Sequence, residues 1–198
     1  WPGPSIGFLQ EAVRWWDHWL KGRDTGIMKE AMLRVWMQES VSPDPEAAER
    51  PGRWVAVPSW PSPQIKSQSY ALNSTGLGAT GEKEDVMKIS SPQTVGLGGP
   101  VWSYSEHQAQ DQRQDDAGSL CFDSDVLSEG IEILGAPVVT LAFSSNQPVA
   151  TLAVRLCDLA ADDSSLFVSH GILNLTRRES HERPASLEPG KRYQVRLQ

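Results

Sequence analysis

One strongly amphipathic helix, followed only by short apolar runs between turn residues, limits this chain to a small set of folds. Residues 8–20 carry apolar side chains at helical spacing on one broad face, with polar residues opposite. That face consists of Leu9, Ala12, Val13, Trp16, Trp19 and Leu20. Ser5 suits the N-cap or the lead-in to it, and Gly22 suits the C-terminal stop. The segment predicts one helix that presents a large surface to a partner.

After Gly26 the pattern changes to short β-type runs separated by Pro, Gly, Ser, Asn and Asp. The predicted strands are 33–37, 54–57, 69–72, 86–89, 120–122, 131–134, 138–144, 149–157, 166–175 and 192–197. In the last run Tyr193, Val195 and Leu197 alternate with polar residues, as a strand with one wet face requires. About ten strands without intervening helices indicate an antiparallel β-sandwich or jelly roll.

The composition of the 198 residues, 39% hydrophobic and 22% charged, is that of a globular protein with a core. A net charge of −7 argues against nucleic-acid and anionic-membrane surfaces. No apolar run approaches the ~20 residues that cross a bilayer. The chain opens without Met and stops inside a predicted strand, so we expect it to be part of a longer protein.

The two cysteines, Cys121 and Cys157, both lie in apolar, strand-like contexts. Two buried free thiols are the favoured interpretation, with a single disulfide across a sandwich as the open alternative.

Residues 3–7 match the G-x-S-x-G pattern of serine hydrolases. That pattern activates its Ser where a strand turns sharply into a helix, and no strand can precede Ser5 here. Asp17 and His18 follow on the same helix, where adjacent side chains point about 100° apart. They cannot form a relay to Ser5, and nothing marks a later acid or histidine as its partner, so we predict that Ser5 is not a nucleophile.

Residues 76–81 match the G-x-G-x-x-G pattern of dinucleotide sites, but no βαβ unit surrounds them. A Gly-rich turn between strands is the better interpretation, and no cofactor is predicted. Two formal glycosylation sequons begin at Asn73 and Asn174, and patterns this short arise often by chance.

No group of histidines and cysteines has metal-ligand spacing, so no metal site is predicted. Asp158, Asp162 and Asp163 could suggest calcium, but they lack the Gly and the distal Glu of an EF-hand loop. A tight Asp-Asp-Ser turn between two strands explains them more simply.

Several segments together resemble the CocE/NonD-type serine hydrolases, the family of cocaine esterase and the X-prolyl dipeptidyl-peptidases. Residues 2–11 and 15–22 (WWDHWLKG) resemble the last helix of the family's hydrolase domain. The matches to its jelly-roll domain are 33–37 (LRVWM), 53–54 (RW), 60–61 (WP), 111–113 (DQR), 131–135 (IEILG), 154–158 (VRLCD) and 187–190 (LEPG). The resemblance covers nearly the whole chain.

The resemblance implies a mostly β fold, a jelly-roll or galactose-binding-like β-sandwich preceded by one amphipathic α-helix. Residues 1–26 would be the C-terminal helix of an α/β-hydrolase domain, and residues 27–198 a jelly-roll domain truncated at its C-terminus. The family's Ser-His-Asp triad belongs to the upstream hydrolase domain and is absent here. Val101 and Trp102 match a loop that approaches the family's acyl pocket, which makes them candidates for lining it; packing of these side chains within the sandwich is the alternative.

The expected parent is therefore a serine esterase or dipeptidyl-peptidase acting on a small-molecule or peptide substrate. The chain would complete its pocket and stabilise its core, in a cytoplasmic protein that forms a homodimer or a monomer. Two other classes stay open. A carbohydrate-binding module would expose Trp54, Trp60 and Trp102 as stacking surfaces. An interaction domain would recruit a partner helix through Trp16 and Trp19.

Overall fold

The structure, a computed structural model, describes residues 4–44, 49–78, 85–97 and 111–198. The predicted helix is present as α1 (Phe8–Lys21). It ends at Gly22, whose left-handed backbone (φ 65°) lets its N–H donate to the Asp17 carbonyl. At the other end the N-cap is Gly7, so Ser5 belongs to the lead-in. The helix and its stop signal are confirmed.

Eight short strands follow in the described residues. They are β1 (Leu33–Gln38), β2 (Gly52–Val57), β3 (Ala71–Asn73), β4 (Gly76–Gly78), β5 (Val139–Ser144), β6 (Thr151–Leu159), β7 (Ser165–Asn174) and β8 (Arg192–Leu197). A four-residue helix, α2 (Arg113–Asp116), precedes β5, and 3₁₀ turns span Ile27–Lys29 and Leu175–Arg177. The mostly β class with one leading helix is confirmed.

Within the described ranges the strands pair as four antiparallel two-stranded sheets: β1 with β2, β3 with β4, β5 with β8, and β6 with β7. The longest pair, β6–β7, runs from Thr151 opposite Asn174 to Leu159 opposite Ser165 and has an irregularity between Leu156 and Cys157. The alternation predicted in β8 is confirmed, since Val195 and Leu197 are buried while their neighbours face solvent.

Three predicted strands, 86–89, 120–122 and 131–134, are irregular segments. Each has the apolar content of a strand, but a strand also needs a neighbour with which to exchange backbone hydrogen bonds. Ile131 and Ile133 are instead exposed. Apolar alternation alone therefore overestimated the number of strands.

The first half of the predicted Gly-rich turn at residues 76–81 is a strand and not a turn, because Gly76–Gly78 forms β4 and pairs with β3. The two-residue turn is Ser74-Thr75, one position earlier. Gly76 has φ 128°, and a Cβ there would lie 2.4 Å from the Asp123 carbonyl oxygen. The Leu77 N–H donates to the same oxygen at 2.7 Å. The close approach of the two backbones explains why this position is occupied by a residue without a Cβ.

The hydrophobic core of the described residues is small. Its buried members are Val57, Leu166, Leu175, Leu187, Val195 and Leu197. Leu175, Leu187 and Val195 form one cluster where the β5–β8 and β6–β7 sheets meet. The accessible surface of the chain is 15174 Å², whereas a compact monomer of 21.8 kDa exposes about 9300 Å². Much apolar surface is therefore left uncovered.

Candidate functional site

Helix α1 leaves its apolar face to solvent. Leu9 is 72% exposed, Leu20 74%, and Trp16 and Trp19 54% each. No residue of α1 is buried. A surface helix normally turns this stripe towards a core, because burying it removes apolar area from water. The predicted partner surface is therefore present, and it faces outward.

The polar face of α1 contacts the following segment and β1 through four charged residues. Arg14 pairs with Glu11 at 2.8 Å and closely with Glu30. Arg34, at the start of β1, lies 3.6 Å from Glu11 and 3.5 Å from Glu30. Hydrogen bonding to Glu30 raises the pKa of Arg14, and the same bond lowers the pKa of Glu30. We call these four residues the ion-pair ring.

A second group of polar side chains is buried around the resemblance motif 111–113. Asp111 forms an isolated β-bridge with Leu166, and its Oδ1 accepts from the Ser165 N–H at 3.2 Å. The next residue, Gln112, is fully buried and donates its backbone N–H to the Ser165 carbonyl at 2.8 Å. Hydrogen bonding from Arg113 lowers the pKa of Asp111 and keeps its carboxylate charged. The motif at residues 111–113 therefore connects α2 to the first residues of β7.

Arg155, in the middle of β6, joins the same group. Its guanidinium lies 3.0 Å from Asp115 and 2.8 Å from Asp116, and it donates to the Gln112 side chain at 3.3 Å. Asp115, only 1% exposed, also accepts from the Gly96 N–H at 2.9 Å. These contacts define the buried polar cluster: Gln112, Asp115, Asp116, Arg155 and Ser165.

No sequence motif marks the buried polar cluster as a unit. The available signal was Arg155, a lone charge inside the otherwise apolar run 149–157. The contacts of Arg155 with Gln112, Asp115 and Asp116 join β6 to α2 and so fix the relative position of the two elements. A buried ion pair often contributes specificity of arrangement more than stability.

Asp17 and His18, the two candidate relay partners of Ser5, make other contacts in the structure. Both candidate partners are used elsewhere: the Asp17 carboxylate pairs with Lys21 at 2.6 Å and Arg23 at 2.9 Å. The His18 Nδ1 lies 3.1 Å from the Arg23 carbonyl oxygen. Ser5 itself is exposed in irregular chain before the helix. That this Ser is not activated stays a prediction.

Both cysteines are free thiols, as favoured by the sequence, but only one is shielded from water. Cys157 is partly buried in β6, while Cys121 is exposed, which corrects the expectation that both are buried. The irregular course of residues 120–122 explains the difference, because the expected strand would have turned Cys121 inward. Desolvation raises the pKa of both thiols.

The aspartates between β6 and β7 form a turn, as predicted. The Asp162 carboxylate accepts from the Ser164 N–H at 3.1 Å and its hydroxyl at 2.7 Å, which lowers the pKa of Asp162. Asp163 adopts the left-handed backbone (φ 62°). Among the described residues, no group of three His, Cys, Asp or Glu side chains could hold a metal ion.

The two sequon asparagines lie at strand ends. Asn73 is the last residue of β3. Asn174 is the last residue of β7, and its side-chain oxygen accepts from the Thr176 N–H at 3.0 Å and the Thr176 hydroxyl at 2.8 Å. The second sequon therefore caps the 3₁₀ turn at Leu175–Arg177.

Two of the three tryptophans proposed for sugar stacking lie in the described residues. Trp54 and Trp60 are exposed, 51% and 44% respectively. Trp54 pairs edge-on with Trp36 across the β1–β2 sheet, with ring planes 68° apart, so these two rings form no flat platform. Trp102 and its neighbour Val101, the candidates for pocket lining, lie outside the described residues.

In the parts of the chain that the structure describes, no helix has both the length and the apolar character needed to span a bilayer.

Comparison with known proteins identifies the β region. Residues 25–198 match the family described as the X-Pro dipeptidyl-peptidase C-terminal non-catalytic domain. A Bacillus cereus protein named for Xaa-Pro dipeptidyl-peptidase activity is 22% identical over 199 residues, covering 96% of this chain and 30% of its own length. A Mycobacterium bovis protein named as a serine esterase is 27% identical over 196 residues, covering 91% and 28%.

The cocaine esterase of a Rhodococcus strain is 23% identical over 161 residues, which is 73% of this chain and 28% of that protein. The chain thus spans under a third of the length of these relatives. The family match covers most of the chain and agrees with the helix-then-strands architecture. The chain belongs to the family of X-Pro dipeptidyl-peptidase C-terminal non-catalytic domains.

Proposed function

We propose that this chain is the non-catalytic C-terminal part of a serine hydrolase that cleaves ester or amide bonds. The parent's upstream domain supplies a Ser-His-Asp triad and an oxyanion hole, and the reaction passes through an acyl-enzyme. The family match of residues 25–198 is the observation that carries this proposal. The names of the relatives, a dipeptidyl-peptidase and two esterases, favour an Xaa-Pro peptide or an ester as substrate.

The domain boundary is part of the proposal. Residues 1–26 would belong to the upstream α/β-hydrolase domain, and residues 27–198 would form the jelly-roll domain. Two observations support this division. The family match begins at residue 25, after α1 ends at Lys21. The apolar face of α1 is also exposed, as expected of a helix that packs against a domain outside this chain.

Three further properties remain proposals that rest on the resemblance. Val101 and Trp102 would line the acyl pocket of the parent. The protein would act in the cytoplasm, which fits its free thiols, because reducing compartments keep cysteines unpaired. A homodimer would use surface left exposed by the small core.

The proposal is tested by labelling with a fluorophosphonate, which phosphonylates an activated serine with loss of fluoride. The chain alone should stay unlabelled and should not hydrolyse p-nitrophenyl acetate or an Xaa-Pro p-nitroanilide. A longer polypeptide from the same gene, including the region before residue 1, should be labelled and active. Ser5→Ala serves as the matched control and should leave the longer protein's labelling unchanged.

Labelling of this chain alone that disappears in Ser5→Ala would overturn the assignment. So would a reading frame that encodes no G-x-S-x-G following a strand upstream of residue 1, because the triad would then have no source.

A carbohydrate-binding module is the second candidate, favoured by the exposure of Trp54 and Trp60. It predicts slower migration of the chain in native gels that contain a soluble polysaccharide, and loss of that effect in Trp54→Ala and Trp60→Ala. Unchanged migration over a panel of neutral and acidic polysaccharides would remove this candidate.

A further inference from the structure

The ion-pair ring is closed: each of its two arginines contacts both of its glutamates. It brings together three parts of the chain, with Glu11 and Arg14 on α1, Glu30 after the first 3₁₀ turn, and Arg34 at the start of β1. One more contact lies beside it, since the Thr25 hydroxyl donates to the Arg14 carbonyl at 3.1 Å. The helix is thus attached to the β region by polar groups.

This attachment is the reverse of what the hydrophobic effect alone favours. Turning α1 over would bury Leu9, Val13 and Trp16 against the β region and remove apolar area from water. In the structure those side chains stay exposed, and the charged face is the one that contacts Glu30 and Arg34. The ion-pair ring distinguishes the two orientations, because the overturned helix would separate the two pairs that join α1 to the later segment, Arg14–Glu30 and Arg34–Glu11.

We propose that the ion-pair ring sets the orientation of α1, so that its apolar face is held outward before any partner binds. The expected occupant is the rest of the α/β-hydrolase domain, to which α1 itself would belong, and in this respect the inference rests on the proposed function. A helix already fixed in its bound orientation loses less conformational freedom on docking. The ring is therefore a positioning element, lying on the opposite side of the helix from the surface that it presents.

Hydrogen exchange of the α1 amides in this 198-residue chain tests the proposal. Arg14→Glu places three carboxylates together and should raise exchange across α1 about tenfold. The fourfold reversal Glu11→Arg, Arg14→Glu, Glu30→Arg and Arg34→Glu restores alternating charges with the same net charge. Its α1 exchange should return to within about twofold of the unmodified chain.

Two controls separate orientation from general unfolding. Arg53→Glu breaks the exposed Arg53–Glu132 pair outside the ring and should leave α1 exchange unchanged. The amides of β6 and β7 should exchange equally slowly in all variants, which shows that the β region stays folded. Acrylamide quenching of tryptophan fluorescence reports the outward face, and it should decrease in Arg14→Glu if the helix turns over instead of detaching.

The proposal is overturned if Arg14→Glu changes neither α1 exchange nor quenching, or if the fourfold reversal behaves like Arg14→Glu. These outcomes concern the chain alone. They are therefore independent of fluorophosphonate labelling, which tests the parent's activity, and either proposal can fail without the other.

Discussion

At the scale of single residues, the decisive feature is a buried charge that no local pattern marks. Arg155 and Asp115 are brought together from β6 and α2, and their side chains are 15% and 1% exposed. Removing one partner leaves the other charged and without its ion pair in a poorly solvated site, which costs far more than losing an exposed pair.

We predict that Arg155→Met lowers the free energy of unfolding by about 3 kcal/mol, measured by urea denaturation. The matched control is Arg113→Met, which removes a pair whose side chains are 58% and 29% exposed and should leave the urea midpoint nearly unchanged. Adding Asp115→Asn to Arg155→Met should recover part of the loss, because it removes the uncompensated charge. Equal costs for the two arginines would contradict this account.

A second residue-scale prediction concerns pH. The folded-state pKa of Asp111 is lowered, chiefly by hydrogen bonding from Arg113, so its carboxylate stabilises the fold above the ordinary aspartate pKa of about 3.9. That contribution is lost as pH falls through the lowered value. Asp111→Asn should therefore reduce the decrease in the urea midpoint between about pH 5 and pH 2.

Asp125→Asn, a change at an exposed aspartate, is the control for the pH series. A pH profile of Asp111→Asn that matches the unmodified chain would show that the Asp111 carboxylate does not stabilise the start of β7.

At the scale of elements, local sequence specified the helix and most strands, but not which strands are paired. Helix α1 follows from spacing over 14 residues and a glycine stop, both of which are local. The runs 86–89, 120–122 and 131–134 have similar apolar content to real strands but are unpaired. Strand formation depends on a distant neighbour, so sequence reasoning overestimated these elements.

The β3–β4 hairpin gives an element-scale prediction. Gly76→Ala should lower the free energy of unfolding by about 2 kcal/mol, because the backbone has φ 128° and the new Cβ would contact the Asp123 oxygen. Gly130→Ala, where a Cβ meets nothing within 4 Å, should stay within about 0.5 kcal/mol of the unmodified chain. Thermal unfolding of both variants provides the comparison, and similar losses would contradict the proposed constraint.

At the scale of the whole molecule, the accessible surface exceeds that of a compact monomer by more than half. Part of the excess is the apolar face of α1. A contiguous exposed patch of this kind marks an interaction surface, and in the absence of its partner it promotes association.

We predict that the isolated chain self-associates and that Leu9→Lys with Leu20→Lys returns it to a monomer of about 22 kDa by light scattering. Lysine keeps the helix, so circular dichroism should be unchanged. The control places lysine at Val86 and Val126, exposed apolar positions outside α1, and should leave association as it was. Association that survives the α1 changes would show that another surface causes it.

By itself, the sequence determined the helix, its stop at Gly22 and the mostly β class. All of these follow from neighbours within a few residues, or from spacing along one element. The tertiary structure decided which face of α1 contacts the segment that follows it, and with which acidic side chains Arg155 pairs. Those outcomes depend on charges more than 15 residues apart in the chain, such as Arg14 with Glu30 and Arg155 with Asp115, which meet only when the backbone is folded.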